Sequence, residues 1–394
     1  MRLVGTTVRG IRTPIIKEND DLASIVVDSV INASESEGFK FKDKDISAIT
    51  EAVVGISEGN YVTVDNIVSD LNDKFPSKEI GIVYPILSRN RFSMILKAIA
   101  RAMNKVTILL SFPSDEVGNG IMDENLLSTS PFNLGSLISE EDYEKYFGTF
   151  IHPFTGINMV DYYRDLVKSE NCDVEFVFSN NPSDILKYTN NVLTCDIHSR
   201  FKTKKGLSEQ GAFVLSLSDI LNESVGGSGF NPDYGLLGSN KSTDERLKLF
   251  PKDGASLVLK IKDEMFKRTG KNFEVMVYGD GAFKDPVGGI WELADPVVSP
   301  FYTEGLKGTP NEIKLKYVSD NMFADLRGDE LKDAIKEEIK KKDNDLKGQN
   351  VSLGTTPRRI TDLVGSLCDL TSGSGDKGTP VVLVQGYFDN LADE

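Results

Sequence analysis

One stretch of this 394-residue chain constrains its fold more than any other: residues 275–296, VMVYGDGAFKDPVGGIWELADP. An apolar β-run stops abruptly at Gly279-Asp280-Gly281. The glycine-dense loop that follows holds, with Asp280, four carboxylates, and also Lys284 and the chain's only tryptophan, Trp291. Glycines at a strand exit let backbone N–H groups approach an anion, and clustered carboxylates there suit a hard cation. Asp280 and Asp285 are therefore candidate metal ligands, with Lys284 facing a phosphate. The competing reading is a tight turn closing a hairpin, its acids in water.

Elsewhere, short apolar runs alternate with amphipathic ones. Strands are expected at residues 3–8, 46–54, 81–87 and 105–112, and helices at 21–32, from about 63, and at 91–102. That alternation predicts a mixed α/β (α+β) fold. From about residue 126 the texture becomes more polar and punctuated, with strand-like pieces at 173–178 and 212–217 and a helix at 253–269. The expected organisation is a two-part core, residues 1–125 and 274–394, interrupted by an inserted domain at 126–273. Late in the chain, helices are expected at 329–342 and 359–370 and a strand at 381–384.

Composition narrows the function. A net charge of -15, with 60 acidic side chains, argues against a nucleic-acid partner. No apolar run approaches the roughly 18 residues of a membrane span, and the N-terminus lacks a signal-peptide pattern, which predicts a cytoplasmic protein with no membrane partner. Three scattered cysteines fit a reducing compartment. With only His152 and His198 available, a zinc site is disfavoured, and any metal chemistry must use oxygen ligands suited to magnesium, manganese or calcium.

Three further segments bear on a site. Residues 117–125, VGNGIMDEN, follow a buried strand, and a glycine-rich exit of that kind makes Asp123 a candidate metal ligand. Arg89 and Arg91 precede a helix, where paired arginines suit a phosphate, although a surface pair is the commoner case. Residues 373–378, GSGDKG, lack the spacing of a phosphate loop and read as a strand-entry turn. No catalytic nucleophile or triad is evident, so the catalytic residue is unassigned.

Taken together, residues 9–22 (RGIRTPIIKENDDL), 51–59 (EAVVGISEG), 117–125, 279–281 and 362–386 resemble the coenzyme F420 gamma-glutamyl ligase family. The resemblance implies a homodimeric mixed α/β enzyme using GTP (ATP being possible) with Mg2+ or Mn2+. Such an enzyme activates a small-molecule carboxylate as an acyl phosphate, which the amine of an amino acid such as L-glutamate then attacks. It places metal at Asp123 and Asp280, with Asp285 as a further candidate, and makes Arg12, Arg89, Arg91, Lys284 and Gly281 candidates for nucleotide or phosphate binding. The chain departs from the family pattern at Ile56, where a lysine is expected, and at Gly281, in place of a hydroxyl residue. Lys284 and Asp285 replace an arginine–proline pair. Two rival readings stay open: a non-catalytic or regulatory ligand-binding relative, and another metal-dependent phosphoryl-transfer enzyme.

Overall fold

The computed structural model describes residues 3–153, 155–281, 294–355, 358–372 and 375–393. Its strands, in chain order, are β1 (Thr7–Ile11), β2 (Ile46–Thr50), β3 (Tyr61–Thr63), β4 (Glu79–Val83), β5 (Lys105–Leu110), β6 (Ile138–Ser139) and β7 (Asp173–Phe178), followed by β8 (Asn191–Thr194), β9 (Phe213–Ser216), β10 (Asn240–Thr243), β11 (Arg246–Lys248), β12 (Glu274–Tyr278), β13 (Phe301–Tyr302) and β14 (Val381–Gln385). The result is a mixed α/β architecture, as expected.

Five strands form a first sheet in the order β1-β14-β2-β12-β13. β2 and β12 run parallel, with Thr50 opposite Tyr278, and β14 runs antiparallel to β2 and β1. Both faces are covered, so its central strands read as continuous apolar runs rather than alternating ones. Ile49, Val275, Val277 and Leu383 pack towards the helices Leu22–Glu37 and Gly254–Thr269. Ile46, Ala48, Met276 and Val382 pack towards the helix Ile360–Ser372.

The second sheet has the order β6-β7-β5-β4-β8-β9 and is parallel except for the edge strand β6. Strands β4 and β5 lie before residue 125, yet they pair with β7 and β8 beyond it. Likewise β3 pairs with β11. While β10, β11 and β3 form a separate three-stranded sheet, the expected boundary at 125 thus falls inside the second sheet, whose strands come from residues 79–216. The texture change at 126 reflects its short edge elements rather than a change of sheet.

Two local expectations are corrected. The strand expected over 46–54 ends at Thr50, and a helix, Glu51–Ser57, begins at once. An apolar Val53-Val54 pair fits either period. The helix brings Gly55 so near the Leu249 carbonyl oxygen that a Cβ there would lie 2.9 Å from it. Nor does Gly279-Asp280-Gly281 close a tight hairpin, because the antiparallel neighbour of β12 is β13, which starts only at Phe301. Among the described residues no helix is long and apolar enough to cross a membrane.

Candidate active site

Because β2 and β12 are parallel neighbours, they end side by side, and ligand crevices in α/β sheets form outside such carboxyl ends. Glu51 leaves β2 there, and Asp280 leaves β12. The second sheet contributes from the other side. The loop after its strand β4 leads to the helix Phe92–Ala102, and at the helix entrance Arg91 reaches across to the first sheet. Arg91 Nη2 donates to Asp280 Oδ2 at 2.9 Å and Nη1 to Asp295 Oδ1 at 2.7 Å. Asp295 is fully buried, and its Oδ2 accepts from the Asp280 backbone N–H at 2.8 Å. The carboxylate of Asp295 crowds Gly279 so closely that no Cβ fits at that position.

Two more contacts complete the cluster. Lys248 Nζ, on β11, lies 2.9 Å from Glu51 Oε2, with both side chains only 7% exposed. The Gly281 N–H donates to Asp369 Oδ2 at 2.9 Å. A Cβ on Gly281 would sit 2.9 Å from the Ser366 Cα, so the close helix explains why this position carries glycine instead of a hydroxyl residue.

Among the described residues, four carboxylates (Glu51, Asp280, Asp295, Asp369) gather with two cations (Arg91, Lys248). Burial, then the neighbouring Asp295, push the Asp280 carboxyl up to about 7, with Arg91 opposing and Asp369 and Glu51 adding to the rise. Burial likewise raises Glu51 above the usual carboxylate range, against the pull of Lys248. Burial works against the charge on Arg91, but Asp295, Asp280 and Glu51 outweigh it and hold the guanidinium ionised.

A cleft of about 460 Å3 opens on this cluster, lined by Thr13, Thr50, Glu51, Asp280, Asp369 and Thr379 among others. A neighbouring groove of about 940 Å3 shares Thr13 and Pro14 with it and carries Arg9 and Arg12. Arg9 lies over the Phe39 ring and donates to Gln385 Oε1 at 2.7 Å.

The sequence-based candidates divide accordingly. Asp280, Gly281 and Arg91 come together, although Arg91 neutralises carboxylates rather than standing open to a phosphate. Arg12 lines the neighbouring groove. Arg89 is exposed, and its carbonyl accepts from Ser93 Oγ. Asp123 is also exposed and caps the short helix Glu124–Thr129, accepting from the Asn125 N–H at 2.9 Å. It does not line the cleft. Lys284 and Asp285 lie outside the described residues. Among the described residues no three His, Cys, Asp or Glu side chains form a metal-ligand group. The donors described at the cleft are hard carboxylate oxygens, the ligand type of a divalent cation such as magnesium or manganese.

The sequence profile of the F420-0:gamma-glutamyl ligase family matches residues 10–386. The chain belongs to this family. No curated protein matches it. The family match runs through all three sheets, so it covers more of the chain than the segments that carry the resemblance. Membership points to ligase chemistry of the gamma-glutamyl kind on small-molecule substrates.

Sequence reasoning missed Lys248, Asp295 and Asp369 as members of this charged cluster, and Glu51 as a second carboxylate on the cleft. Lys248 sits in a three-residue strand with no pattern around it. Asp295 lay within the glycine-rich stretch, where the density of acids was itself the signal. Thr379 and the turn before it were read as plain strand entry, yet they form one wall of the cleft.

Proposed function

We propose that this ligase-family chain joins an amino acid, such as L-glutamate, to a small carboxylate acceptor, using GTP (or ATP) and a divalent metal. The observation that carries this reading is the grouping of the cleft carboxylates Glu51, Asp280 and Asp369 at the paired carboxyl ends of β2 and β12, beside a groove bearing Arg9 and Arg12. An acceptor carboxylate and a triphosphate repel each other, so cationic groups must bring them together. A divalent ion bound at Asp280, with a neighbouring carboxylate and the substrate phosphates completing its ligands, would supply that charge. Arg9 and Arg12 would bind the phosphates where the groove meets the cleft.

In the reaction, an oxygen of the acceptor carboxylate bonds to the γ-phosphorus and the nucleoside diphosphate leaves. The amine of the amino acid then attacks the acyl carbon, expels phosphate and loses a proton. Positioning and charge neutralisation carry such transfers without a protein nucleophile. Arg91 fixes the Asp280 and Asp295 carboxylates relative to the second sheet, so the cleft is organised before substrates arrive.

One observation favours a second reading, a binding relative without turnover: Arg91 already pairs with Asp280 Oδ2, and Ile56 lines the cleft. Thermal unfolding with GTP and ATP, each with and without Mn2+ or Mg2+, separates the readings. Ligand at about 100 times its dissociation constant adds about 2.7 kcal/mol of stability. The ligase reading expects a shift with a purine nucleotide only when metal is present. No shift with any nucleotide would contradict it.

A further inference from the structure

Taken in chain order, the five parallel strands β4, β5, β7, β8 and β9 of the second sheet lie side by side as third, second, first, fourth and fifth. This is the doubly wound order, and its topological switch point falls between β4 and β8. The helix Phe92–Ala102 after β4 packs on one face, and the helix Arg200–Ser208 after β8 packs on the other. In open sheets of this type, ligands bind outside the carboxyl ends at that point. The residues after β4, YPILSRNR (84–91), contain no glycine, so the dinucleotide fingerprint is absent and a smaller ligand is indicated.

The crevice is built for an anion. After β8, three successive backbone N–H groups converge on one carboxylate, that of Glu116. Ile197 donates at 2.6 Å, His198 at 3.1 Å and Ser199 at 2.9 Å, and Ser199 Oγ adds a contact at 3.0 Å. Such a nest at a helix N-terminus favours negative charge.

Beside it, Arg200 is only 7% exposed. Its Nη1 folds back to donate to the Ile197 carbonyl of the same loop, and its Nε has no hydrogen-bond partner. Asp196, 1% exposed, accepts from Ser199 Oγ and Thr203 Oγ1 through Oδ2, while Oδ1 has no partner. Tyr84, at the end of β4 with a φ of 55°, also has an unpartnered hydroxyl. Buried polar atoms left unpaired are costly, and several of them at a switch point indicate a missing ligand.

We propose that this crevice is a second ligand site, for a small phosphate-bearing molecule, and that Glu116 is an internal occupant which the phosphate displaces. The amides of residues 197–199 and the Arg200 guanidinium hold the phosphate oxygens. Asp196 Oδ1 and Tyr84 Oη remain to engage a hydroxyl carried by the ligand. The proposal stands apart from the ligase reading, since none of these residues lines the 460 Å3 cleft.

Titration calorimetry of the full chain in EDTA, at constant ionic strength, tests it with inorganic phosphate and with glycerol 3-phosphate. Glu116→Ala should bind phosphate about tenfold more tightly than the unsubstituted protein, because a charge-assisted competitor is gone. Adding Arg200→Met should remove that gain, and adding Asp280→Asn should not. Tighter binding of glycerol 3-phosphate identifies a phosphate monoester as the ligand, and equal binding identifies free phosphate. Should Glu116→Ala fold poorly, Glu116→Gln keeps the side-chain volume and phosphorus NMR line broadening reads the same gain. Affinity unchanged by loss of Glu116, a gain indifferent to Arg200, or one lost with Asp280 would each overturn the assignment.

Discussion

Replacing Arg91 with methionine is expected to destabilise the protein by about 3–5 kcal/mol and to abolish metal-dependent nucleotide binding. Among the described residues the guanidinium is the one cation touching both Asp280 and Asp295, and Asp295 is completely removed from solvent. Removing one partner of a buried pair leaves the other as an uncompensated charge, which costs far more than the pair itself contributes. The substitution also cuts the one ion-paired link described between the helix Phe92–Ala102 and the loop after β12. Urea unfolding reads the stability, and nucleotide titration in Mn2+ reads the binding. A loss under about 1 kcal/mol, the range of an exposed pair, would show that water reaches Asp295.

The second large effect concerns Lys248→Met. Lys248 is the contact that opposes burial of the Glu51 carboxylate, and both side chains are nearly inaccessible. Methionine at 248 is expected to cost about 3–5 kcal/mol near neutral pH. The pH dependence has a definite sign. Glu51 already has a folded-state value raised above the unfolded one, so its ionisation reduces stability as pH climbs out of the usual carboxylate range. Without Lys248 that rise is larger, and the variant loses further stability with increasing pH. Adding Glu51→Gln removes the stranded charge. The double variant should therefore be more stable than Lys248→Met alone, with a flatter pH profile. Equal stability of the two, measured by denaturant unfolding at pH 5 and pH 8, would mean that Glu51 is not the group Lys248 compensates.

Much of the fold was legible because its strands are covered on both faces. Residues 105–112 and 173–178 each read as a continuous apolar or alternating run, and β5 and β7 lie there. Helix starts were legible where a side chain caps them. Thr63 accepts from the Asn66 N–H in a capping box, so a helix beginning just after it could be read directly. What failed was the assignment of strands to sheets. Local period says nothing about whether β4 pairs with β2 or with β8, and the boundary at 125 was drawn on texture alone.

The site shows the same division. Asp280 and Gly281 announce themselves by a broken β-run. Glu51 does not, because its position depends on a strand becoming a helix at Thr50, and the apolar period of the residues around it fits either element. Asp123 looked like a ligand because a glycine-rich strand exit suits one. In the structure its carboxylate is spent on its own helix cap, a common use of aspartate after a loop.

The central claim is that the cleft at Asp280 holds a divalent cation. Its most direct test is electron paramagnetic resonance titration of Mn2+ into the protein, with and without GTP, compared with Asp280→Asn. The account predicts a single bound ion per chain at pH 8. Binding should weaken as pH falls below about 7, where a proton competes for the Asp280 carboxylate, and should be lost in the Asp280→Asn variant. Mn2+ binding identical in the two proteins, or none in either with GTP present, would contradict it.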